Sequence, residues 1–110
     1  MNLVSDLLSY GEVFISANDA YAINGEGIIT ERKVFIVKKN DKWYVYKNSN
    51  INNEDNIIKV YDNNGISLNL NEISEKVKED FKDYNYQFKH TYKMNKTGYY
   101  YYSTEFEEIK

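Results

Sequence analysis

The stretch that decides the fold runs over residues 69–94 and reads NLNEISEKVKEDFKDYNYQFKHTYKM. Apolar residues recur every four positions in its first half: Ile73, Val77 and Phe81. This spacing, with charged residues between, predicts an amphipathic helix over about 71–83. Asn69 or Asn71 can cap its start, and Glu72 lies three residues after Asn69, as in a capping box.

The second half of the same stretch changes to a period of two, which predicts a long strand. One side of the alternation is largely aromatic: Tyr84, Tyr86, Phe88, His90, Tyr92 and Met94. The other side is polar and partly basic: Asn85, Gln87, Lys89, Thr91, Lys93 and Asn95. Residues 95–98 read as a turn, and residues 99–104 read as the returning partner strand. The acidic tail, 105–110, is expected to fray.

Upstream of the helix, the clearest hairpin pairs residues 33–39 with 43–47 across the loop 40–42. Both of its faces are apolar, so we expect it to lie centrally in a sheet. Shorter strands are expected at 13–15, 20–23, 28–29, 57–61 and 66–70, separated by turns at 18–19, 24–27 and 62–65 and by the polar loop 48–56. Helical spacing near the start predicts a short first helix: Leu3, Val4, Leu7 and Leu8.

Successive hairpins with one main helix indicate the α+β class rather than a repeated β–α–β pattern. We predict a largely antiparallel, bent sheet of about six to eight short strands, with the helix of about 71–83 packed on it. A chain of 110 residues has room for one domain, so a single domain over 1–110 is expected.

Composition bears on the cellular compartment and on the classes of partner that the chain can bind. The chain has no cysteine, and its first ten residues lack the basic lead and the apolar core of a secretory signal. A cytoplasmic protein without a membrane span is therefore expected. The net charge of −3 is unlike that of a duplex-binding protein that relies on overall attraction to phosphates.

No catalytic, metal or cofactor motif stands out. The single histidine, His90, is interpreted as a packed or rim residue of the last hairpin. The acidic residues of the helix alternate with lysines, as on a solvated helix face. Without cysteine, and with one histidine, the chain offers only carboxylates to a transition metal. We therefore predict a protein that is not an enzyme and that has neither a metal site nor a cofactor.

The last hairpin is the best candidate for a binding surface. Residues 84–103 contain lysines and a histidine but no acidic residue, together with a run of four tyrosines at 99–102. Alternation must split that run, so at least one pair of rings is expected to face solvent. Three interpretations remain open: ordinary strand residues, a protein-binding face, or a platform for single-stranded nucleic acid. The candidate interface consists of four residues: Lys89, Lys93, Tyr99 and Tyr101.

We predict a non-enzymatic protein-binding module. Small, acidic, cysteine-free chains with the Asn, Lys, Ile and Tyr content of AT-rich genes are common among phages and mobile elements. In size, charge and class the chain is similar to inhibitors of host defence nucleases (anti-CRISPR-like proteins) and to toxin-immunity proteins. Its expected partner is a protein, such as a nuclease or a nucleoprotein complex. The alternative is a single-stranded nucleic-acid-binding module that uses the same Tyr- and Lys-rich hairpin.

Overall fold

The computed structural model describes residues 9–62 and 68–110. Within these residues the chain forms eight strands, one α-helix and one 3-10 turn at Glu54–Asn56. The strands are β1 (Tyr10–Phe14), β2 (Asp19–Ile23), β3 (Glu26–Glu31), β4 (Lys33–Lys39), β5 (Lys42–Tyr46), β6 (Ile57–Asp62), β7 (Tyr86–Asn95) and β8 (Gly98–Glu108), and the helix is α1 (Leu70–Asp80). The predicted α+β class, strand number and single main helix are confirmed.

The strands are divided between two four-stranded sheets, of order β1-β4-β5-β6 and β2-β3-β7-β8. The contacts also divide the chain into two compact units. Among the described residues, the first unit contains 9–13, 34–62 and 68–82, and the second contains 14–33 and 83–110. Apart from Phe14 and Lys33, which are terminal residues of β1 and β4, the first sheet and α1 belong to the first unit, and the second sheet belongs to the second unit.

The hairpin of β4 and β5 forms the centre of the first sheet, as predicted. Asn40 and Asp41 form its two-residue loop with φ values of 52° and 62°, the left-handed conformation that such tight hairpins require. Every residue from Val34 to Val37 is buried, and Trp43 and Val45 are buried on the returning strand. Continuous burial of β4 explains why it lacks the polar–apolar alternation of a half-exposed strand.

The helix α1 begins with the predicted capping box, in which Asn69 accepts from the backbone N–H of Glu72 at 2.8 Å and Glu72 accepts from that of Asn69 at 3.0 Å. Ile73 and Val77 are completely buried. The helix ends at Asp80 rather than near residue 83, because Phe81 leaves the helical conformation and acts as the C-cap. The prediction therefore placed the end of the helix about three residues too late.

Side chains of the first sheet form hydrogen bonds with the helical segment. The Trp43 indole N–H donates to the carbonyl of Leu68 at 3.1 Å, and the Tyr61 hydroxyl donates to Asp80 at 2.7 Å. Burial, and then the negative charge of Asp80, raise the pKa of Tyr61 well above its usual range. The predicted packing of the helix on a sheet is thus observed in the first unit.

Some expectations fall on residues that the structure does not describe. The short first helix predicted from Leu3 to Leu8 lies outside the described residues, as do most of the turn 62–65 and the first part of the strand expected at 66–70. In the described end of that segment, residues 68 and 69 are not in a strand and Leu70 opens α1.

The second sheet is built from two hairpins joined by the pairing of β3 with β7. Asn24 and Gly25, with φ values of 51° and 77°, form the turn between β2 and β3. Arg32 links the two chain segments of this unit, because its guanidinium donates to the Tyr84 carbonyl from Nε at 3.0 Å and from Nη2 at 2.6 Å. The expectation that the tail frays from residue 105 is wrong: residues 105–108 pair with β7, and the Gln87 amide donates to Glu107 at 2.9 Å.

Candidate binding surface

Strand register divides the second sheet into two faces, because directly paired residues project to the same side. We call one the histidine face; its residues are Ala20, Ala22, Gly27, Ile29, Glu31, Tyr86, Phe88, His90, Tyr92, Met94, Tyr99, Tyr101, Thr104 and Phe106. We call the other the lysine face; its residues are Asp19, Tyr21, Ile23, Glu26, Ile28, Thr30, Gln87, Lys89, Thr91, Lys93, Tyr100, Tyr102, Ser103, Glu105 and Glu107.

A β-bulge at Tyr102 interrupts the alternation of β8. Thr91 pairs with Ser103 while Tyr92 pairs with Tyr101, so Tyr102 is the extra residue. The Lys93 ammonium lies 3.7 Å from the centre of the Tyr102 ring, which fixes this ring on the lysine face. Because of the extra residue, Thr104 projects to the same face as Tyr101 although three positions separate them.

The four consecutive tyrosines are the most solvent-exposed aromatic group of the described chain. Their exposed fractions are 53%, 45%, 56% and 56% for Tyr99, Tyr100, Tyr101 and Tyr102. The expectation that at least one pair of rings faces solvent therefore holds for both pairs.

The four residues of the predicted interface do not share one surface. Tyr99 and Tyr101 lie on the histidine face, whereas Lys89 and Lys93 lie on the lysine face beside Tyr100 and Tyr102. The sequence alternation already separated the lysines from the aromatic side of β7. The sequence did not reveal which pair of tyrosines shares a face with the lysines, because the answer depends on the register between β7 and β8.

An apolar hollow of about 440 Å³ opens on the histidine face. It is lined by the small residues Ala20, Ala22 and Gly27, by Ile28 and Ile29, and by Tyr21, Tyr92 and Tyr99. A Cβ atom at Gly27 would lie 3.3 Å from the Tyr99 ring, so the glycine allows this ring to lie against β3. The hollow therefore arises from small side chains next to two large ones, on adjacent strands of one sheet.

A chain of polar groups crosses the histidine face beside the hollow. Nε2 of His90 is 2.5 Å from a carboxylate oxygen of Glu31, and Nδ1 is 2.7 Å from Oγ1 of Thr104. The Tyr101 hydroxyl is 2.7 Å from the same Thr104 oxygen. In the neutral imidazole, Nε2–H donates to Glu31 and Nδ1 accepts from Thr104, which in turn accepts from Tyr101.

Electrostatics keep Glu31 ionised in this chain of groups. Its partial burial alone would raise its pKa, but the hydrogen bond from His90 and the positive charge of Lys33 outweigh this and lower the pKa below 4.5. The Lys33 ammonium is 3.4 Å from Glu31 and also lies over the rings of Phe14 and Phe88, at 5.3 and 5.8 Å from their centres. A fixed carboxylate thus orients the imidazole.

An aromatic cluster continues the histidine face beyond this polar chain. The rings of Tyr86 and Phe106 are stacked with centres 5.5 Å apart, and Phe106 lies 5.1 Å from Phe88. The ring centres of Tyr84 and Tyr86 are 5.6 Å apart. Burial, and then repulsion from the negative charge of ionised Tyr86, raise the pKa of Tyr84 to about 12. This end of the face is held together by its own rings.

The order carboxylate, imidazole, hydroxyl is also found where a base activates a nucleophile. Sequence inspection missed Glu31 and Thr104 as partners of His90 because the three residues lie on three different strands. No local spacing signals their contact; only the pairing of β3, β7 and β8 brings them together.

The lysine face carries mixed charge. Lys93 is 3.9 Å from Glu26, and Lys89 is paired across the hairpin with Glu105. Each of the two lysines of the predicted interface thus has a carboxylate neighbour. The positive potential expected from residues 84–103 alone is reduced by residues from β3 and from the end of β8.

Neither the described residues nor comparisons with known proteins assign the chain to a class of site or to a family. Residues 9–62 and 68–110 contain no group of three or more potential ligands that could hold a metal ion. Over the same residues, every helix is too short or too polar to cross a bilayer. Neither a family model, nor a curated protein, nor a solved structure matches the chain.

Proposed function

We propose that the chain is a non-enzymatic binding protein whose histidine face holds a protein partner. The observation that carries this proposal is the association of two exposed rings, Tyr99 and Tyr101, with an apolar hollow on one face of one sheet. Tyrosine is enriched at interfaces because its ring is apolar while its hydroxyl forms hydrogen bonds. A hollow beside such rings suits an anchoring side chain from the partner.

The matched pairs of the tyrosine run provide the test. We expect the immobilised protein to capture a specific partner from a lysate of the organism that carries the gene, also at high salt. Tyr99→Ser with Tyr101→Ser should abolish capture, whereas Tyr100→Ser with Tyr102→Ser, on the same strand and similarly exposed, should retain it. Thermal melts of both variants are the check that they fold. Equal capture by both variants would remove the histidine face from the proposal.

The narrower expectation, an inhibitor of a defence nuclease or a toxin-immunity protein from a phage or mobile element, depends on the identity of the captured protein. If a captured nuclease or toxin retains its activity when the purified chain is added, this narrower function is excluded. The binding function itself would survive that result.

A second candidate function uses the lysine face, where Lys89 and Lys93 share one side with Tyr100 and Tyr102. Rings for stacking and lysines for phosphates are the elements of a single-stranded nucleic-acid platform. The neighbouring carboxylates of this face weigh against it. A salt titration with single-stranded oligonucleotides decides: steeply salt-dependent binding that is lost in Lys89→Ala with Lys93→Ala would favour nucleic acid over a protein partner.

The hydrogen-bonded side chains of Glu31, His90 and Thr104 allow a direct test of the proposal that the protein is not an enzyme. A base-activated threonine would hydrolyse an activated ester such as p-nitrophenyl acetate, and His90→Ala would abolish that turnover. We expect no hydrolysis above the level of free imidazole. Turnover that requires both His90 and Thr104 would identify the chain as an enzyme.

A further inference from the structure

The strand β2 lies at the edge of the second sheet, next to the hollow. In the order β2-β3-β7-β8 it has one pairing partner among the described strands, and all five of its residues are exposed. Ala20 and Ala22 of this strand line the hollow. An exposed edge strand offers unpaired backbone groups to an additional strand.

The turn at 24–25 determines which backbone groups these are. In a hairpin with a two-residue turn, the closing pair, here Ile23 and Glu26, exchanges backbone hydrogen bonds, and the next pair does not. Hydrogen-bonded and non-hydrogen-bonded pairs then alternate along the strands. The N–H and C=O groups of Ala20 and Ala22 therefore point away from β3, toward the open edge.

The side chains on this edge define what an added strand must carry on the histidine face. Ala20 and Ala22 are small, and the hollow beside them is bounded by the larger rings of Tyr92 and Tyr99. An added strand would lie next to these alanines, with its alternate side chains directed to the same face. A large apolar side chain, such as that of Phe or Leu, would fill space that the alanines leave open.

Charge defines one position on the other side of the added strand. Asp19, at the start of β2, is exposed and has no ion pair among residues 9–62 and 68–110. The other residues that β2 directs to the lysine face, Tyr21 and Ile23, are exposed and apolar. Because opposite charges on neighbouring strands stabilise pairing, the side chain that an added strand places beside Asp19 should be basic.

We propose that β2 accepts an extended segment of a protein partner as a fifth strand of this sheet, with large apolar side chains over the hollow and Lys or Arg beside Asp19. This inference rests on the proposed protein-binding function and specifies the chemistry of the partner. Backbone hydrogen bonds provide the affinity, and the alternating side chains provide the selectivity.

Three short fluorescent peptides test the inference by anisotropy at physiological salt. The first alternates Lys with Phe, the second alternates Glu with Phe, and the third alternates Lys with Ala. We expect saturable binding of the first peptide and binding weaker by roughly tenfold or more for each of the other two. Equal binding of the Glu and Lys peptides would refute the charge assignment, and with it the proposed partner chemistry.

Variants of the edge strand separate strand addition from other modes of binding. Ala22→Pro removes an outward backbone N–H and leaves the hydrogen bonds to β3 intact. It should therefore weaken binding of the Lys–Phe peptide by roughly tenfold. Ala22→Lys is a second variant that keeps the backbone, and it should block the edge in the same way. Tyr100→Ser, on the far strand and the other face, is the matched control and should bind normally.

The remaining outcomes distinguish this inference from the proposed function. If the edge variants bind the peptide and capture the lysate partner normally while Tyr99→Ser with Tyr101→Ser does not, strand addition fails and the protein-binding face stands. If light scattering shows a dimer that Ala22→Lys converts to a monomer, the occupant of the edge is a second copy of this chain, and the inference is overturned.

Discussion

Glu31 is the charged residue on which the polar chain of the histidine face depends, so neutralising it is the most informative perturbation. Its carboxylate lies 2.5 Å from His90 and 3.4 Å from Lys33. A hydrogen bond to a charged group contributes about 1.5–3 kcal/mol, and partial exposure to solvent reduces this value. We expect Glu31→Gln to lower the free energy of unfolding by about 1 kcal/mol at neutral pH.

The effect has a defined pH dependence. Because the folded chain lowers the pKa of Glu31 below 4.5, the folded state binds this proton less tightly than the unfolded state. The stabilisation is therefore complete above the unfolded pKa and is lost as the pH falls through the lowered folded pKa. The wild-type protein and Glu31→Gln should differ at neutral pH and converge on acidification.

Urea unfolding followed by circular dichroism at several pH values measures this difference. Fluorescence of Trp43, the single tryptophan, reports on the unfolding of the first unit, to which Glu31 does not belong. Glu105→Gln, on the lysine face, is the matched control. A neutral-pH difference below about 0.5 kcal/mol, the usual effect of a surface substitution, would refute the reasoning, as would a difference that persists in acid.

Three further predictions concern stability. Because the pKa of Tyr84 is raised to about 12, the folded state holds the hydroxyl proton more tightly than the unfolded state. Stability should therefore decline from about pH 10 upward. Thermal melts at alkaline pH should show a smaller decline for Tyr84→Phe. Asn69→Ala removes the capping box of α1 and should cost about 1 kcal/mol in urea titrations, against no change for Asn71→Ala. Gly98 has φ 128° in open space, so Gly98→Ala should lower the melting temperature through backbone strain alone, and an unchanged melt would contradict this assignment.

The elements that sequence reasoning located correctly are those with local signals. The capping box at Asn69 and Glu72, the fourfold spacing of Ile73 and Val77, and the apolar run around β4 each reflect contacts within a few residues of the chain. The end of α1 carried no comparable signal, because Phe81 continues the apolar spacing although it no longer has helical backbone angles.

The division into two sheets could not be predicted in this way. The chain leaves the first unit after residue 13 and returns at residue 34, so β1 is next to β4 in the first sheet while the hairpin of β2 and β3 joins β7 in the second. Periodicity identifies strands but not their partners. The contact of His90 with Glu31 and Thr104, and the separation of Lys89 and Lys93 from Tyr99 and Tyr101, both depend on those partners.

The extra residue in β8 makes the tyrosine run tolerant of the loss of one residue. Because residues 99–102 are identical, deleting any one of them gives the same chain, and its three remaining tyrosines can pair with Met94, Lys93 and Tyr92 without a bulge. Two of the three rings would then project to the histidine face and one to the lysine face. Natural variants of the chain with three tyrosines in this run are therefore expected to keep Thr104 beside His90.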